Sequence, residues 1–296
     1  MRIEVRLFAG LRELAKQKAV MEDLPGGGTV ADVISRLSDR FGQEFQKQVI
    51  GERGQPSELL RILVNGRNLA SLEGVETRLK DGDVLAIFPP VAGGEVKIAS
   101  YNGEDFRIEP DVYEPAEDTF LLAENLDVRR GERTLELGTG CGILAILAAK
   151  AGARVTATDI NPAALECARA NVAAHGVADR IGFRLGDLFE PVAGKRFNLV
   201  IFNPPYLPIP DQDSIGTPLD LAWEAGPDGR AVINRFLNEL PEHLAPSSRA
   251  LFVQSSLADV EKTIRALEAK GMRAEIVARR KLSFEELFLL RASASF

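Results

Sequence analysis

The stretch RTLELGTGCGILAILAAK, residues Arg133–Lys150, sets the architecture of the larger part of this chain. It predicts a strand, a glycine turn and a helix in succession. Gly138, Gly140 and Gly142 let the backbone approach a ligand closely, and the start of the helix offers free amides to negative charge. A dinucleotide fingerprint would need a third glycine where Ile143 stands, so the spacing points away from NAD. By itself the loop fits either a nucleotide-like cofactor or a plain tight turn.

Strand and helix patterns alternate regularly from this stretch onward. Seven strand candidates are centred on Leu135, Val155, Phe183, Leu199, Leu251, Ile276 and Leu287. Four helical stretches lie between them: CGILAILAAKAG, NPAALECARANVAAHG, GRAVINRFLNELPEHL and LADVEKTIRALEAKG. The alternation predicts a doubly wound α/β sheet. The last two strands are joined by RRKLSFEE without a helix, which predicts an antiparallel hairpin.

Acidic residues close two of the predicted strands. Asp159 follows the glycines by about 20 residues, where a carboxylate can accept both hydroxyls of a ribose. It can instead cap the helix that begins near Pro162, although Asn161 is the better cap. Asp187 ends the third strand, where it can accept from the exocyclic amino group of an adenine. Together with the glycine loop, these carboxylates favour a nucleoside cofactor at the carboxyl ends of the strands.

The fourth strand ends in the strongest chemical signal of the chain, Asn203-Pro204-Pro205-Tyr206. Two successive prolines fix φ and cannot donate hydrogen bonds, so the backbone presents only carbonyls. The Asn203 side-chain oxygen and the Pro204 carbonyl can both accept from one planar NH2 group, while Tyr206 packs on that plane. Such a clamp aims the π face of a weakly nucleophilic nitrogen at an electrophile. It needs no strong base, because the nitrogen loses its proton easily once it is alkylated and cationic.

Residues 1–94 have a different pattern, which predicts a separate domain before residues 95–296. RIEVRLF alternates as a half-buried strand, with Ile3, Val5 and Leu7 on one face. TVADVISRLSDRFG predicts an amphipathic helix capped by Thr29. Together with the later strand patterns, this predicts a small α+β domain with one helix packed on one mixed sheet.

The composition excludes several classes of protein. Hydrophobic residues make up 45% of the chain and charged residues 27%, as in a soluble globular protein. No run approaches the ~20 apolar residues of a membrane span, and the start lacks the apolar core of a signal peptide, so we expect a cytoplasmic protein. With only Cys141 and Cys167, and with His175 and His243 lacking a second ligand at metal-binding spacing, we expect no disulfide framework and no metal site.

The net charge of −7 is unevenly distributed along the chain. Residues 1–94 carry 13 basic and 13 acidic side chains, whereas residues 95–296 carry 23 basic and 30 acidic ones. This balance disfavours DNA as the main partner, because proteins that bind a duplex usually carry a basic footprint.

The start strand, LFAGLRELA and the ending VLAIFPPVAGG resemble the MoaD and ThiS sulfur carriers, which have a ubiquitin-like β-grasp fold. The resemblance covers residues 1–94. In that family an adenylating enzyme activates the terminal glycine carboxylate, which then becomes a thiocarboxylate. Gly93 and Gly94 would be that tail, since a chain without Cβ atoms can thread a narrow enzyme channel. Here Gly94 is bonded to Glu95, so this chemistry requires cleavage behind Gly94.

Two hypotheses for residues 1–94 remain open. After cleavage they would act as a sulfur carrier or ubiquitin-like modifier in molybdopterin, thiamine or tRNA thiolation pathways. In the intact chain they would be an accessory or docking domain.

Residues 96–296 resemble S-adenosylmethionine-dependent amino-methyltransferases, and within them the HemK family of protein glutamine methyltransferases. The resemblance is carried, in order, by VYEPAEDTFLL, LELGTGCGILA, TDINPAALECARAN, NPPYLP and LAWEAGPDGRAVINRF. It implies a seven-stranded Rossmann-like class I methyltransferase sheet. It also implies methyl transfer to the glutamine amide in the Gly-Gly-Gln loop of peptide-chain release factors. YEPAEDT is more similar to the archaeal and eukaryotic branch, whose members work with a small zinc-binding activator subunit.

The resemblance also assigns roles to individual residues. It places S-adenosylmethionine against Thr119, Glu136, Gly138, Gly140, Asp159, Asp187, Leu188 and Asn203. It places the target amide against Asn203, Pro204, Pro205 and Tyr206. Trp223 would lie near the substrate groove or pack in the core.

Two further expectations follow from these motifs. An adenine-amino methyltransferase is the alternative activity, because adenine also presents a planar NH2 group. An activator subunit would be indicated by an exposed apolar face at the sheet edge near Phe183 and Phe197.

Overall fold

The computed structural model describes residues 1–7, 9–17, 19–51, 54–57, 60–69, 72–88, 96–206, 222, 225–282 and 285–294. These residues fall into two compact units, one within the first 92 residues and one after them. The predicted boundary at Gly93, Gly94 and Glu95 lies outside the described residues, and so does Trp223. None of the described helices is long and apolar enough to cross a membrane.

The first unit is a five-stranded mixed sheet with three helices. Its elements are β1 (Arg2–Leu7), α1 (Ala9–Ala15), β2 (Ala19–Asp23), α2 (Val30–Phe41), α3 (Gln43–Val49), β3 (Arg61–Val64), β4 (Arg67–Asn68) and β5 (Val84–Phe88). The strand order is β2-β1-β5-β3-β4. Strand β1 is parallel to β5, and the other neighbouring pairs are antiparallel. This is the predicted ubiquitin-like β-grasp fold.

The core of this unit shows why the helices form. Thr29 caps α2 in a capping box, in which its hydroxyl accepts from the Asp32 amide and the Asp32 carboxylate accepts from the Thr29 amide at 2.8 Å. The prediction of a single helix was wrong, because α1 and α3 also contribute to the core through Leu11 and Phe45, which are fully buried. Each of these helices has seven residues, too few to show a helical period in the sequence.

The second unit contains a seven-stranded sheet and a two-stranded hairpin. Its elements are β6 (Lys97–Tyr101), β7 (Glu104–Ile108), α4 (Glu117–Glu124), β8 (Arg133–Leu137), α5 (Ile143–Lys150), β9 (Arg154–Asp159), α6 (Pro162–Ala174), β10 (Ile181–Leu185), β11 (Phe197–Phe202), α7 (Ala231–His243), β12 (Leu244–Ser255), α8 (Val260–Glu268), β13 (Met272–Lys281) and β14 (Glu286–Ala294). The strand order in the large sheet is β10-β9-β8-β11-β12-β14-β13. Strands β8 to β12 pair in parallel, and β14 is antiparallel to both of its neighbours. The seven predicted strands, the four predicted helices and the final hairpin are confirmed.

Alternate residues of the central strand β11 face two separate cores. Leu199 and Ile201 pack with α4, α5 and α6, while Val200 and Phe202 pack with α7 and α8. The strand is buried on both faces, so its sequence is a nearly continuous apolar run. Leu137 at the end of β8 lies opposite Phe202 at the end of β11. The parallel strands therefore end together at one edge of the sheet, where the predicted site residues follow.

The hairpin of β6 and β7 is held to α6 by the buried side chain of Asn171. Its Oδ1 accepts from the Arg107 amide at 2.8 Å. Its Nδ2 donates to the Arg107 carbonyl at 2.7 Å and to the Cys141 carbonyl at 2.8 Å. One side chain thus joins the outer edge of β7 to the glycine loop after β8.

Substitution of Asn171 by Ala should lower the free energy of unfolding by about 1–3 kcal/mol, because it removes the partner of the Arg107 amide and that of the buried Cys141 carbonyl. Urea unfolding followed by circular dichroism measures the change. Glu166→Ala, on the exposed side of the same helix, is the matched control and should change stability by less than ~0.5 kcal/mol. Equal stability of Asn171→Ala and the wild type would contradict the role given to this side chain.

Candidate active site

The glycine loop leaves β8 in left-handed backbone conformations. The φ angles of Gly138, Gly140 and Gly142 are 63°, 55° and 86°, which residues with a Cβ rarely adopt. A Cβ at Gly140 would meet nothing within 4 Å, so the space beside it is open to a ligand. A Cβ at Gly142 would lie 3.0 Å from the side chain of Ala168. The loop therefore combines a ligand-facing glycine with one that is needed for packing on α6.

Asp159, at the end of β9, is tied to the loop by hydrogen bonds. Its Oδ2 accepts from the Gly140 amide at 2.9 Å, and its Oδ1 accepts from the Asn161 amide at 2.9 Å. Burial raises the pKa of Asp159, and these amides act in the opposite direction. Asn161 caps α6 by accepting from the Ala163 amide, as predicted. Each Asp159 oxygen has a second lone pair, so the carboxylate can still accept from ribose hydroxyls.

Glu136 is a buried carboxyl within β8, with 2% of its surface exposed. The Thr139 hydroxyl donates to its Oε2 at 2.6 Å. Burial raises the pKa of Glu136 from 4.5 to about 8; the nearby charge of Asp159 also raises it, and the Thr139 hydrogen bond lowers it. The carboxyl therefore holds its proton near neutral pH until a donor or a cationic group of a ligand approaches it.

Asp187 and Leu188 follow β10 at the same edge of the sheet. Arg235 of α7 donates to Asp187 Oδ2 at 2.6 Å, and this contact raises the pKa of the Arg235 guanidinium. Leu188 is buried and has a left-handed φ of 42°. Arg235 occupies one carboxylate oxygen, and the other can accept from the amino group of a base.

Ile160 is a candidate site residue that the sequence patterns did not single out. Its side chain is 45% exposed, although it directly follows the buried strand β9. Beside the acidic strand end, it offers an apolar surface on which an aromatic base can pack. The available signal was an apolar residue placed directly after Asp159.

Asn203 directly follows β11 and begins the predicted clamp. Its Nδ2 donates to the Thr119 hydroxyl at 3.4 Å. Its Oδ1 is buried and has no hydrogen-bond partner among the described residues. Pro204 and Pro205 are buried, and Tyr206 packs half-buried against the core. A buried acceptor without a partner costs about 1–3 kcal/mol, so the site is suited to receive a donor here.

Asp118, in the first turn of α4, binds Tyr206 of the clamp directly and is linked to Asn203 through Thr119. Its Oδ2 accepts from the hydroxyls of Tyr113 at 2.9 Å and Tyr206 at 3.2 Å. Its Oδ1 accepts from the Thr119 amide at 2.6 Å and the Thr119 hydroxyl at 3.2 Å. Burial, with the Asp118 charge second, raises the pKa of both phenols well above 10.0, so they stay protonated. Sequence patterns missed Asp118, because only the tertiary structure brings α4 against the end of β11.

The cysteine thiols are buried, and each histidine ring lies within hydrogen-bond distance of a backbone carbonyl, as is typical of residues with a structural role. Burial raises the pKa of the Cys141 thiol, which argues against a nucleophilic role. His175 Nε2 lies 3.0 Å from the Asp105 carbonyl, and His243 Nδ1 lies 2.9 Å from the Lys195 carbonyl. Within the described part of the chain, no group of three or more His, Cys, Asp or Glu side chains is arranged to hold a metal ion.

The free energy of unfolding should fall as pH rises from about 4.5 to about 8. The folded chain keeps the Glu136 proton up to about pH 8, whereas the unfolded chain loses it near 4.5, so deprotonation in this window favours unfolding. Glu136→Gln should flatten this dependence and leave the part that comes from Asp159. Urea titrations across this pH range measure the slope, with exposed Glu166→Gln as the control. An unchanged slope in Glu136→Gln would refute the assignment.

Two family models match this chain. The methyltransferase small domain matches residues 114–215. The ThiS family matches residues 5–94.

Known proteins resemble the second unit over most of their own length. A putative protein N5-glutamine methyltransferase of Methanocaldococcus jannaschii is 41% identical over 196 residues, which cover 66% of this chain and 98% of the relative. The Homo sapiens methyltransferase HEMK2 is 33% identical over 196 residues, covering 62% of this chain and 91% of the relative. The solved E. cuniculi Mtq2–Trm112 complex, described as responsible for methylation of the eRF1 termination factor, matches with a TM-score of 0.50 and 26% identity, covering 62% of this chain and 99% of that one.

The sheet topology, the strand-end residues and these matches agree on one class of enzyme. Identity over nearly the whole length of the archaeal relative extends that agreement from the fold to the family. The chain belongs to the HemK-related protein N5-glutamine methyltransferases, and it carries a ThiS-family ubiquitin-like domain before its methyltransferase domain.

Proposed function

We propose that this chain transfers a methyl group from S-adenosylmethionine to the side-chain amide nitrogen of a glutamine in the Gly-Gly-Gln loop of a peptide-chain release factor. One observation carries the proposal: the buried Oδ1 of Asn203 has no hydrogen-bond partner among the described residues. The two residues that follow Asn203 are prolines, which have no N–H to donate to this oxygen. A primary amide suits this position, because its planar NH2 group offers two hydrogens to two acceptors. The relatives named for N5-glutamine and eRF1 methylation support this choice of acceptor.

The residues at the strand ends fit S-adenosylmethionine. The space beside Gly140 is open, Asp159 has lone pairs for a ribose, and Ile160 exposes an apolar surface for a base. When bound, the cofactor supplies an electrophilic methyl group on its sulfonium. We assign its binding to Thr119, Glu136, Gly138, Gly140, Asp159, Asp187, Leu188 and Asn203.

The clamp residues hold the acceptor amide in a reactive orientation. Asn203 Oδ1 and the Pro204 carbonyl accept its two hydrogens, and Tyr206 lies against its plane. Holding the two reacting groups in line can supply about 7–11 kcal/mol of the barrier reduction. The methylated, cationic amide loses its proton readily, so no residue has to act as a base. Tyr206, whose pKa burial raises well above 10.0, remains a neutral phenol throughout.

An adenine amino group is the other planar NH2 group that this clamp fits. The excess of acidic over basic side chains in residues 95–296 disfavours a nucleic-acid duplex beside it. DNA is therefore the comparison substrate in the test below.

A small zinc-binding activator subunit is a second part of the proposal, supported by the presence of Trm112 in the Mtq2 complex. Phe183 and Phe197 do not form the exposed face that would indicate it. Phe197 is buried, and the Arg169 guanidinium lies 4.7 Å from the centre of the Phe183 ring. The apolar surface at this edge comes instead from Leu185, which is 57% exposed at the end of edge strand β10. An edge strand with an apolar side chain can pair with a partner, so we assign the activator to β10.

The ThiS-family domain leads to a third proposal. In the intact chain it acts as an accessory or docking domain, because Gly94 has no free carboxylate. Cleavage behind Gly94 would give it the ending of a sulfur carrier, which an adenylating enzyme could then activate.

Native mass spectrometry of the protein purified from its own cells tests both the activator subunit and the cleavage behind Gly94. A co-purifying small zinc protein supports the activator, and a fragment that ends at Gly94 supports the carrier. An intact chain with no bound subunit argues against both.

Asn203→Ala should lose at least roughly 10²-fold in methylation rate, because it removes the side-chain oxygen that accepts from the target amide. S-adenosylmethionine should bind only a few-fold more weakly, because the seven other residues assigned to the cofactor remain. The assay uses labelled cofactor with the host release factor and DNA side by side, and mass spectrometry maps the modified residue. Asn198→Ala is the matched control, since Asn198 lies near the start of the same strand and accepts from the Arg133 amide. Label on adenine instead of glutamine, or wild-type turnover in Asn203→Ala, would overturn the proposed function.

A further inference from the structure

The Asp118 carboxylate is a polar centre of the candidate site that none of the proposed binding roles uses. It is 3% exposed and accepts hydrogen bonds from Tyr113, Tyr206 and both the amide and the hydroxyl of Thr119. A buried carboxylate is stable only when donors surround it in this way. Two of the three residues that supply the donors, Thr119 and Tyr206, belong to the proposed active site.

A carboxylate can only accept, and this determines the direction of the hydrogen bonds around it. The single hydroxyl hydrogen of Thr119 points to Asp118 Oδ1 at 3.2 Å. The Thr119 oxygen can then only accept from Asn203, so the Nδ2 end of that amide must face it, at 3.4 Å. This orientation turns Asn203 Oδ1 to the position where it is buried without a partner among the described residues.

We propose that Asp118 is a positioning residue for methyl transfer: it determines which end of the Asn203 amide faces the acceptor, and it holds the ring of Tyr206. The inference rests on the proposed function, because the Asn203 amide is proposed to orient the glutamine amide that receives the methyl group. Asp118 acts through Thr119 and Tyr206. Without its carboxylate, the Thr119 hydroxyl can donate to Asn203 Oδ1, and Asn203 then turns its own NH2 group toward the NH2 group of the substrate.

If Asp118 had a purely structural role, removing any one hydrogen bond to its carboxylate would affect methyl transfer in the same way. Tyr113 binds the same Oδ2 atom as Tyr206 and is half-buried like it, but it lies outside the hydrogen-bond chain from Thr119 to Asn203. Tyr113→Phe removes a hydrogen bond of similar length from the same carboxylate. It is therefore the matched control for a general loss of stability.

Asp118→Ala should lower kcat by about 100-fold, because misorientation of a preorganised group has an effect of this order. Asp118→Asn should lower kcat by about tenfold, since a neutral oxygen accepts more weakly and the new NH2 group meets the tyrosine hydroxyl hydrogens. The KM for a Gly-Gly-Gln peptide should change by about threefold or less in both variants, as should the calorimetric Kd for S-adenosylmethionine. Tyr113→Phe should keep kcat within about threefold. If Asp118→Ala does not fold, Asp118→Asn decides.

A second readout needs neither cofactor nor acceptor. In protein labelled with 15N-asparagine, the side-chain NH2 resonances of Asn203 are assigned from their loss in Asn203→Ala. They should move in Asp118→Ala and stay in place in Tyr113→Phe. Wild-type kcat in the Asp118 variants, or unmoved Asn203 resonances, would overturn the positioning role. If the wild type methylates no glutamine, the proposed function fails, whereas the resonances still decide whether Asp118 orients Asn203.

Discussion

Parallel pairing of β8 with β9 on one side and β11 on the other is the constraint on which the candidate site depends. The three strands end together, so the segments that follow them meet although they are far apart in the chain. The glycine loop, Asp159 and the Asn203 clamp are those segments. The apolar faces of β11, buried against helices on both sides, hold this register, and a slip of one residue would exchange its two cores.

Hydrogen bonds then turn a shared edge into a defined geometry. Asp159 is bound by the Gly140 amide, Glu136 by the Thr139 hydroxyl, and Asp118 by two phenols and Thr119. Buried polar groups are nearly always paired, because an unpaired one costs free energy. The unpaired oxygen of Asn203 is informative for this reason: the polar groups around it are hydrogen-bonded, and it lies where the glutamine amide that receives the methyl group is expected.

Most of the architecture could be predicted from local patterns. Strands buried on both faces and long helices leave clear periodicities, so all seven strands of the large sheet and their order of appearance were predicted correctly. The short helices α1 and α3 were missed, since seven residues make only two turns. From the sequence, an exposed apolar face could be sought only in the neighbourhood of Phe183 and Phe197, and the exposed apolar residue found there is Leu185. Exposure at an edge depends on what covers each side chain, which a pattern along the chain does not record.

The sequence by itself determined the two fold classes, through the succession of strand and helix patterns along each domain. It also determined where the glycine loop, the acidic strand ends and the Asn-Pro-Pro-Tyr motif lie, because each of these depends on residue types within one short segment. Only the tertiary structure decided how these parts act on one another. It brought Asp118 of α4, together with Tyr113 from the segment before α4, to Tyr206. It also joined Arg235 to Asp187 and left Ile160 exposed. The physical reason is that hydrogen-bond direction and burial depend on neighbours that are distant in the chain.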